Sequence, residues 1–222
     1  MIDKITHYSV GLVSTINYLE QRLRTGILPG AQAHEPLRAK PVGNIIPKFN
    51  HLDPPRPGGV LILFFEEGAR VMFPLIKRPN YPGLHGGQIS LPGGKSEPNE
   101  SALQAALREA NEEIGIKANE VKVLGTLSPF HVIPSNFMVT PVVAVAKETP
   151  RFVPDPREVD RILFASVEDI VHAEAIKVKE IQVANRYSML APHFEIEGEV
   201  VWGATAMMLN ELRQILIEMD EG

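Results

Sequence analysis

Residues 91–116 read LPGGKSEPNESALQAALREANEEIGI, and the meaning of this stretch decides how the rest of the chain is read. Ser101 with Gln104 three positions on forms a capping box, in which each side chain serves the other residue's backbone N–H. The spacing therefore predicts a helix over Ser101 to Ile114, and Gly115 supplies the left-handed residue that ends it. At about 100° per residue, Leu103, Leu107, Ala110 and Ile114 fall on one apolar stripe expected to face a core. Glu109, Glu112 and Glu113 fall on another, spaced i, i+3, i+4, so three carboxylates point the same way within one turn. Ala102, Ala105 and Ala106 continue this acidic stripe with side chains small enough to let a neighbouring backbone approach.

Three carboxylates so close repel one another, and without a counter-charge they take up protons or weaken the helix. A bound cation relieves the repulsion. An all-oxygen ligand set suits hard ions such as Mg²⁺ or Mn²⁺, and Mg²⁺ is commonly shared between a few carboxylates and a substrate's phosphates. The plain alternative is a solvated acidic face neutralised by basic neighbours, but the helix offers only Arg108. The preceding loop adds weight: Gly93 and Gly94 let the backbone approach a metal or a diphosphate, and Lys95 brings a positive charge.

Gly94, Glu100, Arg108, Glu109, Ala110, Glu112, Glu113, Gly115 and Ile116 reproduce the Nudix box, G-x5-E-x7-R-E-U-x-E-E-x-G-U. Every charged and glycine position matches; Ala110 stands where a larger aliphatic is usual. The chain thus resembles the Nudix hydrolases, which implies an α/β (α+β) fold with a mixed β-sheet sandwiched between α-helices, and cleavage of a diphosphate linked to another moiety. The resemblance implies divalent metal on Glu109, Glu112 and Glu113, with the carbonyl of Gly93 or Gly94 assisting. It implies that Arg108 orients the carboxylates and that Glu100 fixes the loop and Arg108. The base that takes the proton of the attacking water is expected to be Glu113, or Glu158 outside the box.

Upstream, residues 75–94 are similar to the signature of the coenzyme A pyrophosphatase branch, L-L-T-x-R-S-x3-R-x3-G-x-V-x-F-P-G-G. Arg78, Gly87, Ile89 and Pro92 to Gly94 fit it, with Leu91 for Phe. Ile76 replaces Thr, Pro79 replaces Ser, and Gly83 stands where a second Arg is usual. Leu127 to Phe130, Ser135 to Phe137 and Val201 to Ala206 resemble the same branch. What this implies is hydrolysis of coenzyme A or its thioesters to adenosine 3′,5′-bisphosphate and 4′-phosphopantetheine or its acyl form. Arg78 and Lys77 are then candidates for the extra phosphate, with Gly93 and Lys95 also on the substrate. Two rivals stand beside it: a Nudix reaction on ADP-ribose, a dinucleotide or a nucleoside triphosphate, and a noncatalytic nucleotide-sensing domain, whose usual sign would be a damaged box. Trp202 is expected as a core anchor, and His85 and His131 as loop histidines without a role.

Outward from this segment, Val60 to Phe65 and Arg70 to Ile76 are apolar, branched and aromatic runs around Glu66-Glu67-Gly68, which predicts a β-hairpin. Val121 to Leu127, Met138 to Val145, Arg161 to Phe164, Ile176 to Val183 and His193 to Ile196 read as strands, with helices at Val167 to Val171 and Ala204 to Met219. Near the start, Ile5, Val10, Val13, Ile16, Leu19 and Leu23 keep helical spacing until Gly26. That helix is expected either to pair two copies in a homodimer or to cover its own sheet. The prolines and glycines of residues 41–59 predict an extended connector. The expected division is 1–57, helix and connector, and 58–222, the hydrolase domain.

Composition bounds the function. The 222 residues carry 44% hydrophobic and 22% charged side chains, as a folded globular chain does. A net charge of −5 disfavours nonspecific binding to nucleic acid or acidic membranes, and the resemblance implies a small-molecule nucleotide as the partner. There is no cysteine, which excludes disulfides and thiolate chemistry and is compatible with a reducing compartment. No apolar run is long enough for a bilayer and no basic-then-apolar leader opens the chain, so a cytoplasmic location is expected.

Overall fold

The computed structural model describes residues 10–43, 49–81, 86–183 and 187–220. In chain order these form α1 (Val10–Arg24), α2 (Ala31–His34) running into a 3₁₀ turn (Glu35–Leu37), and β1 (Lys40–Pro41). Next come β2 (Arg56–Glu67), β3 (Arg70–Lys77), β4 (Ile89–Ser90), β5 (Gly93–Lys95) and α3 (Ala102–Ile114). The second half holds β6 (Val121–Thr126), β7 (Phe130–Val132), β8 (Phe137–Ala146), β9 (Arg161–Ser166), α4 (Val167–Val171), β10 (Lys177–Val183), β11 (Tyr187–Ile196), β12 (Glu199–Trp202) and α5 (Gly203–Asp220).

The larger sheet runs β4-β3-β2-β8-β6, with β5 on β2, β7 on β8 and β9 on β3. It is mixed: β2 and β8 are parallel, whereas the β2–β3 hairpin and the β6–β8 pair are antiparallel. Strand β2 is apolar from Val60 to Phe65 because both of its faces are buried there. Leu61, Leu63 and Phe65 point into one core with Ala106, Ala110 and Ile114 of α3, while Ile62 and Phe64 point into the other, with α1 and α5. The sheet thus lies between helices, as the sequence implied. A smaller sheet, β1-β11-β10 with β12 on β11, completes the molecule.

The apolar face of α1, Leu12, Ile16, Leu19 and Leu23, is buried in the core it shares with α5. Of the two uses expected for this helix, that face therefore covers its own sheet; Ile5, from the same expected run, lies outside the described residues. The expected boundary after residue 57 falls two residues into β2.

Helix α3 is capped as expected, with the Ser101–Gln104 box in place and Gly115 left-handed. Its roll differs. Leu103 is exposed, and the buried arc is Ala105, Ala106, Ala110, Glu113 and Ile114. The cause is a close crossing over β2: a Cβ on Gly59 would lie 1.9 Å from the carbonyl oxygen of Ala102. The alanine side of the helix approaches the strand there, and part of the acidic stripe turns inward with it. The β11–β12 hairpin, absent from the sequence reading beyond His193 to Ile196, turns on Glu197 and Gly198, both with positive φ.

Candidate active site

The β5 backbone and the inward side of α3 build one end of the site. Strand β5 pairs Gly94 opposite Gly59 and Gly93 opposite Val60. The Gly93 N–H donates to Oε2 of Glu113 at 2.7 Å. A Cβ on Gly94 would fall 2.6 Å from the Glu109 carboxylate, so only glycine leaves room for that side chain. Gly94 thus meets the carboxylates through its Cα, and its carbonyl oxygen lies towards Gly58 of β2.

Arg108 organises the outer carboxylates. Its Nε and Nη2 clasp Glu100 at 2.9 and 3.0 Å, Nη1 reaches Glu109 at 3.0 Å and Glu112 at 2.9 Å, and Nη2 also donates to the Lys95 carbonyl at 3.0 Å. Glu100 accepts the Glu97 N–H as well, at 2.8 Å, which ties the loop to the guanidinium. The bond from Arg108 holds the Glu100 carboxyl below its ordinary range, and Glu100 in turn raises the guanidinium's pKa.

The inner carboxylates behave oppositely. Burial pushes Glu113 up to about 7, against the Gly93 N–H and the charge of Arg78, whose Nη2 stands 3.9 Å from its Oε1. Burial also raises Glu109, despite Arg108. A third carboxylate joins them: Glu109, Glu113 and Glu158 have oxygens within 4.8 Å of one another. The segment before β9 delivers Glu158 because its backbone hooks onto the end of α3, Val153 N–H to Ile114 at 2.9 Å and Asp155 N–H to Glu113 at 3.0 Å. Phe152 anchors the same segment against Phe65 and Phe164.

From Gly93, Gly94, Lys95 and Arg78 a cavity of about 480 Å³ extends along a mainly apolar wall that includes Val60, Phe130, Val139, Trp202, Met207 and Met208. Residues 55–187 of the chain match the NUDIX domain family model. NudL, named as an uncharacterized Nudix hydrolase of Yersinia enterocolitica serotype O:8, is 33% identical over 167 residues, 66% of this chain and 80% of that protein. The chain belongs to the Nudix hydrolase family. A second NudL, of Yersinia pestis (strain Pestoides F), is 32% identical over 167 residues, 66% of this chain and 78% of its own length. RenU, a Nudix hydrolase of M. smegmatis, superposes with a TM-score of 0.52 at 21% identity, over 75% of this chain and 89% of that one, which is a likeness of fold.

The protein is accordingly a Nudix pyrophosphohydrolase that acts on nucleoside diphosphate derivatives. The donor set fits the divalent metal such enzymes use. Three carboxylates share less than 5 Å of space, all donors are oxygen, and burial makes the charges of two of them costly unless a cation compensates.

The structure does not bring every expected residue to one place. Glu109 and Glu113 meet, whereas Glu112 turns to Arg108 with 48% of its side chain exposed. Lys77 ion-pairs with Glu199 at 2.7 Å and is not among the residues that line the cavity. Trp202, expected as a core anchor, is half-buried on the cavity wall at the end of β12. His131 also lines the cavity, with Nε2 3.1 Å from Oδ1 of Asn136; Gly83 and His85 lie outside the described residues. Glu158, expected as an alternative base, also joins the metal cluster, and Phe130 of the expected Leu127 to Phe130 stretch lines the cavity; the cavity residues Met207 and Met208 carry no local sequence signal, because only tertiary packing brings them in.

Proposed function

We propose that this Nudix hydrolase cleaves the diphosphate of coenzyme A or acyl-coenzyme A, giving adenosine 3′,5′-bisphosphate and 4′-phosphopantetheine or its acyl form. The observation that carries the reading is the cavity itself, in which an end lined by Arg78, Lys95, Gly93 and Gly94 continues into an apolar wall, with Glu109 and Glu113 directly behind the two glycines. A diphosphate joined to a pantetheine tail has this division of polarity, and an apolar groove with a few placed polar groups is how such a ligand is held. The residues around Arg78, Gly87, Ile89 and Pro92 to Gly94 support the same branch.

Glu109, Glu113 and Glu158 would hold Mg²⁺ or Mn²⁺, while Glu112 is held by Arg108. When bound, the metal neutralises diphosphate charge and lowers the pKa of a water. Glu113, whose Oε2 accepts the Gly93 N–H, would offer Oε1 either to the metal or, as the first candidate base, to a proton of the attacking water. The water oxygen bonds to phosphorus as the bridging P–O bond breaks, and Arg78 and Lys95 offset charge on the phosphate oxygens. Arg108 and Glu100 keep the carboxylates in position. Glu158 is the second candidate base, favoured by its exposure beside the cluster.

ADP-ribose is the rival substrate, favoured by Ile76 and Pro79 standing where the branch signature has Thr and Ser. The test is product identification with coenzyme A, 3′-dephospho-coenzyme A and ADP-ribose, each with Mg²⁺ or Mn²⁺ and with EDTA. Metal-dependent 4′-phosphopantetheine with little ADP-ribose cleavage is the expected result. Cleavage of ADP-ribose without cleavage of coenzyme A would replace this reading with the rival. A cytoplasmic location is part of the proposal; no helix among the described residues is long and apolar enough to cross a membrane.

A further inference from the structure

We infer that Arg38, in the N-terminal segment, is a specificity residue that reads a phosphomonoester of the substrate remote from the cleaved diphosphate. The inference rests on the coenzyme A reading, whose substrate carries such a group on its ribose. Arg38 and Ala39 line the same cavity as Arg78, Gly93 and Gly94, although they lie outside the 55–187 family match. Of the two basic residues first suggested for this phosphate, Lys77 is held by Glu199 off the cavity and Arg78 stands beside Glu113. Arg38 ends the 3₁₀ turn that leads into the other sheet: Lys40 and Pro41, beginning two residues on, pair with Leu190 and Met189 of β11. Among the described residues its guanidinium pairs with Glu35, at 2.7 Å, a pair with both partners well exposed. An exposed pair of this kind is weak and exchanges readily for a phosphate, which a guanidinium can grip with two N–H groups.

A second observation shows that this segment is held in place as a wall. Glu211, on α5, is completely buried and accepts the Gly30 N–H at 3.1 Å and Ser128 Oγ at 2.6 Å, with His34 Nε2 at 2.9 Å. Asn210 Nδ2 donates to the Ala33 carbonyl at 2.6 Å. His34 also packs edge-on against Phe130, itself a cavity residue, with ring centroids 5.0 Å apart. The residues leading into Arg38 are thus bound to α5, whose first turns line the cavity, and to the loop before Phe130.

The experiment measures kcat/KM for coenzyme A and for 3′-dephospho-coenzyme A in the full chain and in Arg38→Gln and Arg38→Lys. The full chain is expected to prefer coenzyme A. Arg38→Gln lowers the ratio of the two by about ten-fold to a hundred-fold, the worth of a hydrogen bond to a charged group, mainly through KM. Arg38→Lys keeps part of the preference. A full chain that prefers coenzyme A, with the ratio unchanged in Arg38→Gln, overturns the role of Arg38 and leaves the substrate reading standing. A full chain that cleaves ADP-ribose and not coenzyme A overturns the substrate reading and Arg38's role with it.

Discussion

The N–H of Gly93 donates to Oε2 of Glu113 at 2.7 Å, joining the strand before α3 to the most deeply buried carboxylate of the candidate site. Even with this bond, burial lifts Glu113 to about 7. A carboxyl raised on folding stabilises the protein fully below its unfolded value, near 4.5, and that contribution is lost as pH rises through 7. The shift corresponds to about 3 kcal/mol between these limits. Metal binding works the other way, because its ligands must be deprotonated. The melting temperature in EDTA should therefore fall between pH 5 and pH 8, and the increase on adding Mg²⁺ or Mn²⁺ should be larger at pH 8. Thermal melts at both pH values test this; an equal increase at both would refute the assignment of Glu113 to the metal.

Gly94→Ala separates site from fold. The added methyl would sit 2.6 Å from the Glu109 carboxylate, the far end of a flexible side chain, so that side chain moves and the strand stays. A displacement of about 1 Å at a reacting centre can cost about a hundred-fold in rate. Gly59→Ala instead puts its methyl 1.9 Å from the backbone of Ala102, which cannot yield without moving α3. The first variant should fold with a much reduced kcat, and the second should lose stability. Circular dichroism melts beside turnover would show it, and a fully active Gly94→Ala would contradict the site geometry.

Arg108→Ala removes the clasp on Glu100 and the bonds to Glu109, Glu112 and the Lys95 carbonyl together. Residues that orient metal ligands are worth about ten-fold to a hundred-fold in affinity or activity. Arg108→Lys keeps the charge but cannot clasp Glu100 with two nitrogens, so it should recover little. Titration of activity with Mn²⁺ should show a weaker apparent metal affinity in both variants. An unshifted titration curve in Arg108→Ala would remove this orienting role.

The parts of this site that could be read from the sequence are those whose chemistry is local. Ser101 and Gln104, Gly115, and the spacing of Glu109, Glu112 and Glu113 announce the helix and its acidic face because all lie within five turns of chain. The hairpin of β2 and β3 was legible for the same reason. The roll of α3 was not: Leu103 looked like core, but the crossing at Gly59 turns Ala105, Ala106 and Glu113 inward instead. Glu158 could be named as an alternative base, but its place in the cluster comes from backbone bonds of residues 153 and 155 to α3, which no local pattern announces. Lys77 shows the converse, a well-placed cation in sequence that Glu199, 122 positions away, takes up in space.

Glu211 offers the last prediction, on a residue outside the metal site. Burial alone would raise its carboxyl, but hydrogen bonds from His34, Ser128 and Gly30 outweigh that and hold it below its ordinary range. A carboxyl lowered on folding contributes stability above its unfolded value, near 4.5, and loses it as pH falls through the folded one. Glu211→Gln keeps the shape but presents an amide to donors that already point at it, and breaking a buried pair in this way costs about 3 to 5 kcal/mol. For a chain of this length that lowers the melting temperature by about 10 °C at pH 7. The gap to the unmodified protein should narrow below pH 4.5, where its own carboxyl begins to protonate. Melts at pH 7 and pH 3.5 decide the matter: a gap of the same size at both would mean that Glu211 does not stabilise the N-terminal wall as a carboxylate.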